Sequence, residues 1–180
     1  TGLLSKKGSW KELLKRWAIV FTANFIGALF IAWLYYLSDL WKTNNLEVGI
    51  NILKTANAKV NLTFGVIFVR AILANWLVCL AVYLSIASKN IVGKIIGIVI
   101  PVATFVALGF EHSIANMYFI PMGLLLKNTE AAISSGLDLT NLTIGGFINN
   151  LIPATLGNIV GGAIFVGLTY WFIFIRNKKD

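Results

Sequence analysis

Sulfur and imidazole are nearly missing from this 180-residue chain, which has one cysteine, Cys79, and one histidine, His112. A single cysteine forms no intrachain disulfide and no multi-cysteine metal site, and it says nothing of redox compartment. A single histidine rules out bis-histidine haem ligation within the chain and disfavours an embedded cytochrome. There is no P-loop, HExxH or nucleophile elbow. We therefore expect no metal, no cofactor and no chemistry on a solute, and a transporter driven by ATP would need a separate subunit. Charge is sparse too, at 12% of residues against roughly 25% in soluble domains. No low-complexity segment and no second soluble domain interrupts the chain. It opens with Thr1 in place of an initiator methionine and with no secretory signal pattern, so an upstream part is expected.

What fills the chain is apolar. Hydrophobic residues make up 58%, tryptophan occurs six times and the mean hydropathy is +0.81, which identifies an all-α membrane protein. Spans need about twenty predominantly apolar residues to cross a core of roughly 30 Å. Three are straightforward, at about 17–37, 62–86 and 147–175. The first is preceded by the amphipathic SWKELLKRW, in which Ser9 and Glu12 fit a capping box. The stretch 91–126 is too long for one crossing, since about 36 helical residues would measure roughly 54 Å. A break is expected near 108–110, at Gly109, giving half-helices at about 92–107 and 111–126. Irregular backbone at membrane depth is tolerated only where it is buried in protein or lines a cavity, so the break predicts a solute path or binding site.

Counting 91–126 as one crossing gives four crossings, and the loop charges orient them. Lys6, Lys7, Lys11, Lys15, Arg16, Lys89, Lys94, Arg176, Lys178 and Lys179 fall on one side. Lys42, Lys54, Lys59 and Lys127 fall on the other, with Asp39, Glu47, Glu130 and Asp138. Both ends of the chain are therefore expected in the cytoplasm. The same arrangement assigns the net charge of +8 to topology and disposes of nucleic acid as a partner. The outer connections, 38–61 and 127–146, read as exposed loops with short helical pieces.

Ionisable groups inside a membrane segment are costly, and GFEHSIAN, Gly109 to Asn116, holds two. On a half-helix beginning at Glu111, His112 and Asn116 share a face and Glu111 points away. His112 either offers a hydrogen bond or proton to a passing solute, its type having the pKa nearest neutrality, or serves as a buried structural donor. Glu111 would anchor the helix N-terminus, with Arg70 or Lys59 as possible partners. Arg70, well inside its span, is either a structural ion pair or an anion attractor. Asn75, Val78 and Cys79 share a face, and Asn75 suits either a narrow filter or a helix–helix hydrogen bond. Phe105 plugs a pore or packs. Gly157 and Gly161 in the last span, like Ala23 and Gly27 in the first, have the spacing that lets membrane helices approach, although glycine is frequent in such helices anyway. Asn158 beside them could bond backbone groups freed by the break.

The segments NWLVCLAVYLS, PVATFVALGFEHSIANMYFIPMG and NLIPATLGNIVGGAIFVGLTYW resemble the formate/nitrite transporter family over nearly the whole chain. The resemblance implies an aquaporin-like helical bundle with six spans in two inverted repeats, assembled as a homopentamer with a pore in each protomer. It makes His112 the central pore histidine, Asn75 and Val78 pore-lining, and Phe105 part of one constriction with Ala115 by the other. Lys59 matches the lysine whose positive potential draws the anion in, and Glu111 the acid beside the histidine. Thr1 to Lys15 resembles the end of the second family span, so this chain would hold spans three to six. Either an N-terminal fragment of the same protein stays associated with this chain, or the sequence is only part of a longer one.

Three functions compete at this point. The first is a channel for small monovalent anions such as formate, nitrite or hydrosulfide in a bacterial inner (plasma) membrane. The second is a membrane-embedded scaffold or anchor with no solute path. The third, a neutral-solute channel, is weakened by the absence of paired Asn-Pro-Ala motifs.

Overall fold

The structure, a computed structural model, describes residues 9–176. The loop charges assigned to Lys6, Lys7, Lys178 and Lys179 lie outside these residues. Every regular element among the described residues is helical. Helix α1, Trp10–Leu37, opens on a reciprocal capping box. The Glu12 amide donates to the Ser9 hydroxyl at 3.2 Å and the Ser9 amide to the Glu12 carboxylate at 3.4 Å, which satisfies two of the donors a helix start leaves open. The charged lead-in and the span expected from residue 17 are thus one continuous helix.

The remaining α-helices are α2, Glu47–Val60; α3, Phe64–Ala87; α4, Ile91–Ala107; α5, Ser113–Leu126; α6, Glu130–Ser135; and α7, Ile144–Ile159, with a short 3-10 turn at Leu40–Lys42. A wider winding follows α7 over Val160–Leu168 and Trp171–Ile175, ending in the bond from the Arg176 amide to the Trp171 carbonyl five residues back, at 2.9 Å. Trp10–Leu37, Phe64–Ala87 and Ile144–Ile175 are long and apolar enough to cross a membrane, whereas α4 and α5 are shorter.

Two compact units form along the chain. Among the described residues, one unit takes in 9–16, 65–112 and 154–176. Here Asn90 caps α4 by accepting the Gly93 amide at 2.7 Å. Trp76 stacks on Phe165 at 5.5 Å and Tyr83 meets Tyr170 edge-on at 4.9 Å, so α3 and the winding after α7 are joined along their length.

The other unit takes in 17–64 and 113–153. Its core gathers Ala32, Trp41, Leu53, Ala56, Ile120, Met122, Leu126, Ala131, Leu142 and Phe147. The connection 38–61, expected as an exposed loop with short helical pieces, holds the fourteen-residue α2. Gly49, Leu53 and Ala56 fall four and three residues apart and make a buried stripe, the helical period hidden in an Asn- and Lys-rich sequence. α2 packs on α5, and a Cβ at Gly123 would collide with that of Ala56. Outside the spans, an ion pair with Asp39 at 2.9 Å raises the Lys42 pKa. The Thr140 hydroxyl, and then its amide, hold the Asp138 carboxyl below its usual range.

The small-residue pairs differ in what they meet. A Cβ at Gly27 would find nothing within 4 Å, so among the described residues nothing packs on α1 there. The pair on α7 and its continuation lies against backbone, as described next.

Candidate functional site

Helix α4 stops because Gly109 takes φ +64°, a conformation that L side chains rarely adopt. The Phe110 amide donates to the Phe105 carbonyl at 3.0 Å and the Gly109 amide to the Val106 carbonyl at 3.1 Å. This six-to-one and five-to-two pair is a Schellman cap with glycine in the left-handed position. Helicity resumes only at Ser113. Glu111 and His112, expected on the first turn of a half-helix, instead belong to the non-helical stretch before α5, so the face-sharing argument for His112 and Asn116 does not apply.

The stretch is held in place. The His112 ring stacks on the Phe105 ring, centroids 5.7 Å apart and planes 22° from parallel. Phe105 therefore closes the helix cap through its carbonyl and carries the histidine on its ring. Glu111 is buried at 2% exposure. Its backbone carbonyl accepts from the Asn158 amide nitrogen at 3.1 Å, and the same nitrogen donates to the Ala71 carbonyl at 2.8 Å. Asn75 in turn donates to the Asn158 carbonyl at 2.6 Å, a helix–helix bond. Three elements thus meet at one buried asparagine: α3, the residues before α5, and α7. Val78 and Cys79 are half-buried on α3, and Cys79 lies toward Gly162. Arg70 is half-buried on α3 and makes no ion pair with a described residue.

Such an approach needs glycine. A Cβ at Gly157 would lie 2.6 Å from that of Ala71 and collide with the Phe68 carbonyl, and one at Gly161 would collide with the Ile72 carbonyl. With backbone against backbone, the short Asn158 side chain reaches the α3 carbonyls. Replacing Asn158 with alanine removes two bonds worth about 1 kcal/mol each and leaves buried carbonyls without that donor. We expect a fall of several degrees in the melting temperature of the purified protein, and a larger one for Asn158→Asp, which sets a carboxylate against the same carbonyls. Unchanged melting for both variants would contradict this.

In the other unit, Asn116 on α5 is fully buried and donates to the Asn150 side-chain oxygen at 2.7 Å. Asn150, on α7, donates to the backbone carbonyl of Lys59 at 2.9 Å. The Lys59 ammonium stands 5.8 Å from the Phe119 ring centroid, and its place in the last turn of α2 suits the helix dipole. Ala115 is partly buried on α5. Neither Asn150 nor Phe119 stands out in the sequence; the one signal for Asn150 is an amide inside an apolar helix.

A model of the formate/nitrite transporter family matches residues 1–172. The formate channel FocA of Escherichia coli K12 is 45% identical over 177 residues, covering 94% of this chain and 62% of that protein. A probable formate transporter of Methanothermobacter thermautotrophicus is 42% identical over 190 residues, covering 97% of this chain and 64% of that one. The chain thus spans less than two thirds of the length of these relatives. A solved structure described as a pentameric formate channel with formate bound superposes with a TM-score of 0.85 at 36% identity, covering 94% of this chain and 69% of that one. With the family matched over nearly its whole length and three helices able to cross a bilayer, this chain is a membrane protein of the formate/nitrite transporter family.

Proposed function

We propose that the chain supplies spans three to six of a channel for small monovalent anions, formate first among them. In this reading it lies in a bacterial inner membrane with both ends cytoplasmic, in a homopentamer with one pore per protomer. The rest of the protomer, two further spans, completes an inverted repeat. Residues 91–126 form one discontinuous crossing, interrupted where His112 stands.

The observation that carries the proposal is the Phe105–His112 stack on non-helical backbone beside a Schellman cap. Taking a bare anion out of water into an apolar surrounding is prohibitive without a hydrogen-bonded or charged partner. His112 supplies a donor or a proton there, Phe105 and Ala115 narrow the path, and Asn75 and Val78 line it. The Lys59 ammonium raises the local anion concentration, and Glu111 anchors the stretch that carries the histidine. The relatives named as formate channels support the choice of anion; nitrite and hydrosulfide share its charge and size.

Flux into liposomes tests this. The full-length protein should carry formate well above protein-free liposomes, with nitrite and hydrosulfide carried to lesser or comparable extents. Water flux without flux of any of the three anions would overturn the proposal and favour a neutral-solute channel.

A further inference from the structure

The end of α2 sets where Lys59 sits, and its position is fixed from another helix. The last carbonyls of a helix lack intrahelical partners, and that of Lys59 is taken by the Asn150 side chain at 2.9 Å. Nearby on α7 is Gly146, where an added Cβ would collide with the Asn141 carbonyl and meet Val60 at 3.4 Å. One turn further along α7, Asn150 is 1% exposed, and its oxygen is occupied by Asn116 at 2.7 Å. An amide used at both ends, donor to α2 and acceptor from α5, cannot rotate without losing both bonds. At the other end of Lys59, the Phe119 ring of α5 faces the ammonium. Both holds on Lys59 thus trace to α5, one through Asn150 to its carbonyl and one through Phe119 to its charge.

We propose that Asn150 is a positioning residue for the anion path. It fixes the backbone of Lys59 against α5 and α7, so that the ammonium is presented at one place and not swept over several. The proposal rests on the reading of Lys59 as the charge that attracts the anion, and it predicts a specific kinetic pattern. Loss of Asn150 should weaken capture of dilute anion more than it slows passage at saturation.

Two measurements separate this from a merely structural role. In formate flux by the full-length protein, Asn150→Ala should raise the half-saturating concentration by about threefold to tenfold, with maximal flux per folded protein changed less than about twofold; in a Lys59→Gln background it should add little, the non-additivity of coupled residues. Asn150→Ser, which keeps a donor and an acceptor, should restore part of the loss. Separately, a Lys59→Cys variant lacking Cys79 should react with a charged thiol reagent at a rate that changes severalfold when Asn150 becomes alanine. An unchanged labelling rate overturns the inference. A changed labelling rate combined with a half-saturation that Lys59→Gln does not move supports the positioning and overturns only the role given to the lysine. Equal losses from Asn150→Ala with and without Lys59 would assign Asn150 to fold alone.

Discussion

Leucine at Gly161 or Gly157 should eliminate the folded protein. The Cβ of even an alanine at 161 would overlap the Ile72 carbonyl and lie 3.1 Å from the Ile72 Cα, and at 157 the obstacles are the Phe68 carbonyl and the Ala71 Cβ. These are mostly backbone atoms of α3, which cannot turn away as a flexible side chain does. The helices must separate, and separation removes the Asn158 bond to Ala71 and the Asn75 bond to Asn158 in the same step. Overpacking alone costs about 1–3 kcal/mol, and the lost buried bonds add about 1 kcal/mol each. Together these are a large share of the roughly 5–15 kcal/mol that holds a typical domain folded. Gly161→Leu is therefore expected to give little or no monodisperse protein on gel filtration after detergent extraction. Gly27→Ala is the control: its added methyl finds open space, and alanine is the better helix former. Equal yields of the two variants would show that the backbone contact at 161 does not carry the weight given to it.

The same four-residue spacing of small residues occurs at Ala23/Gly27 and at Gly157/Gly161, and the sequence treats them alike. Their environments differ because spacing specifies a smooth helix face but not what stands opposite. For α7 the opposing surface is α3, nearly ninety residues away in the chain, and only the fold brings it there. Gly109 was legible for a local reason: a glycine in an overlong apolar run is the residue able to take φ +64°. What the sequence could not tell was how long the chain stays irregular afterwards. Glu111 and His112 are compatible with a first helical turn, whereas in the structure they stay irregular and the Glu111 carbonyl accepts from Asn158, again a distant partner. The connection 38–61 misled for the opposite reason. Its five asparagines and three lysines are spread along it, while the stripe of Gly49, Leu53 and Ala56 that buries α2 is only three residues long. Asn150 escaped notice because an amide in an apolar helix has no preferred partner until α2 is folded beside it.

Replacing His112 with alanine should cut anion flux by at least about tenfold, equivalent to roughly 1.4 kcal/mol of added barrier. An anion leaving water forfeits hydration worth far more than that, and a single donor held in place recovers part of it. In the proposed path the donor is a ring stacked at 5.7 Å on Phe105 and carried by backbone that Asn158 ties to α3, a preorganised arrangement that would need little ordering as an anion arrives. Alanine removes the donor and exposes the anion to the apolar ring beneath. A second substitution separates the two ways a histidine can help. His112→Asn keeps hydrogen-bond donors but does not titrate; if His112 acts through hydrogen bonding alone, this variant should retain most of the flux at every pH. If it lends a proton, His112→Asn should lose flux as severely as alanine, and the pH dependence of the wild type across the histidine range should vanish with it. Parallel melting curves for the three proteins keep a folding defect from being read as a transport defect. Equal flux for wild type and His112→Ala at all pH values would remove His112 from the path and leave the interruption between Ala107 and Ser113 as an architectural feature only.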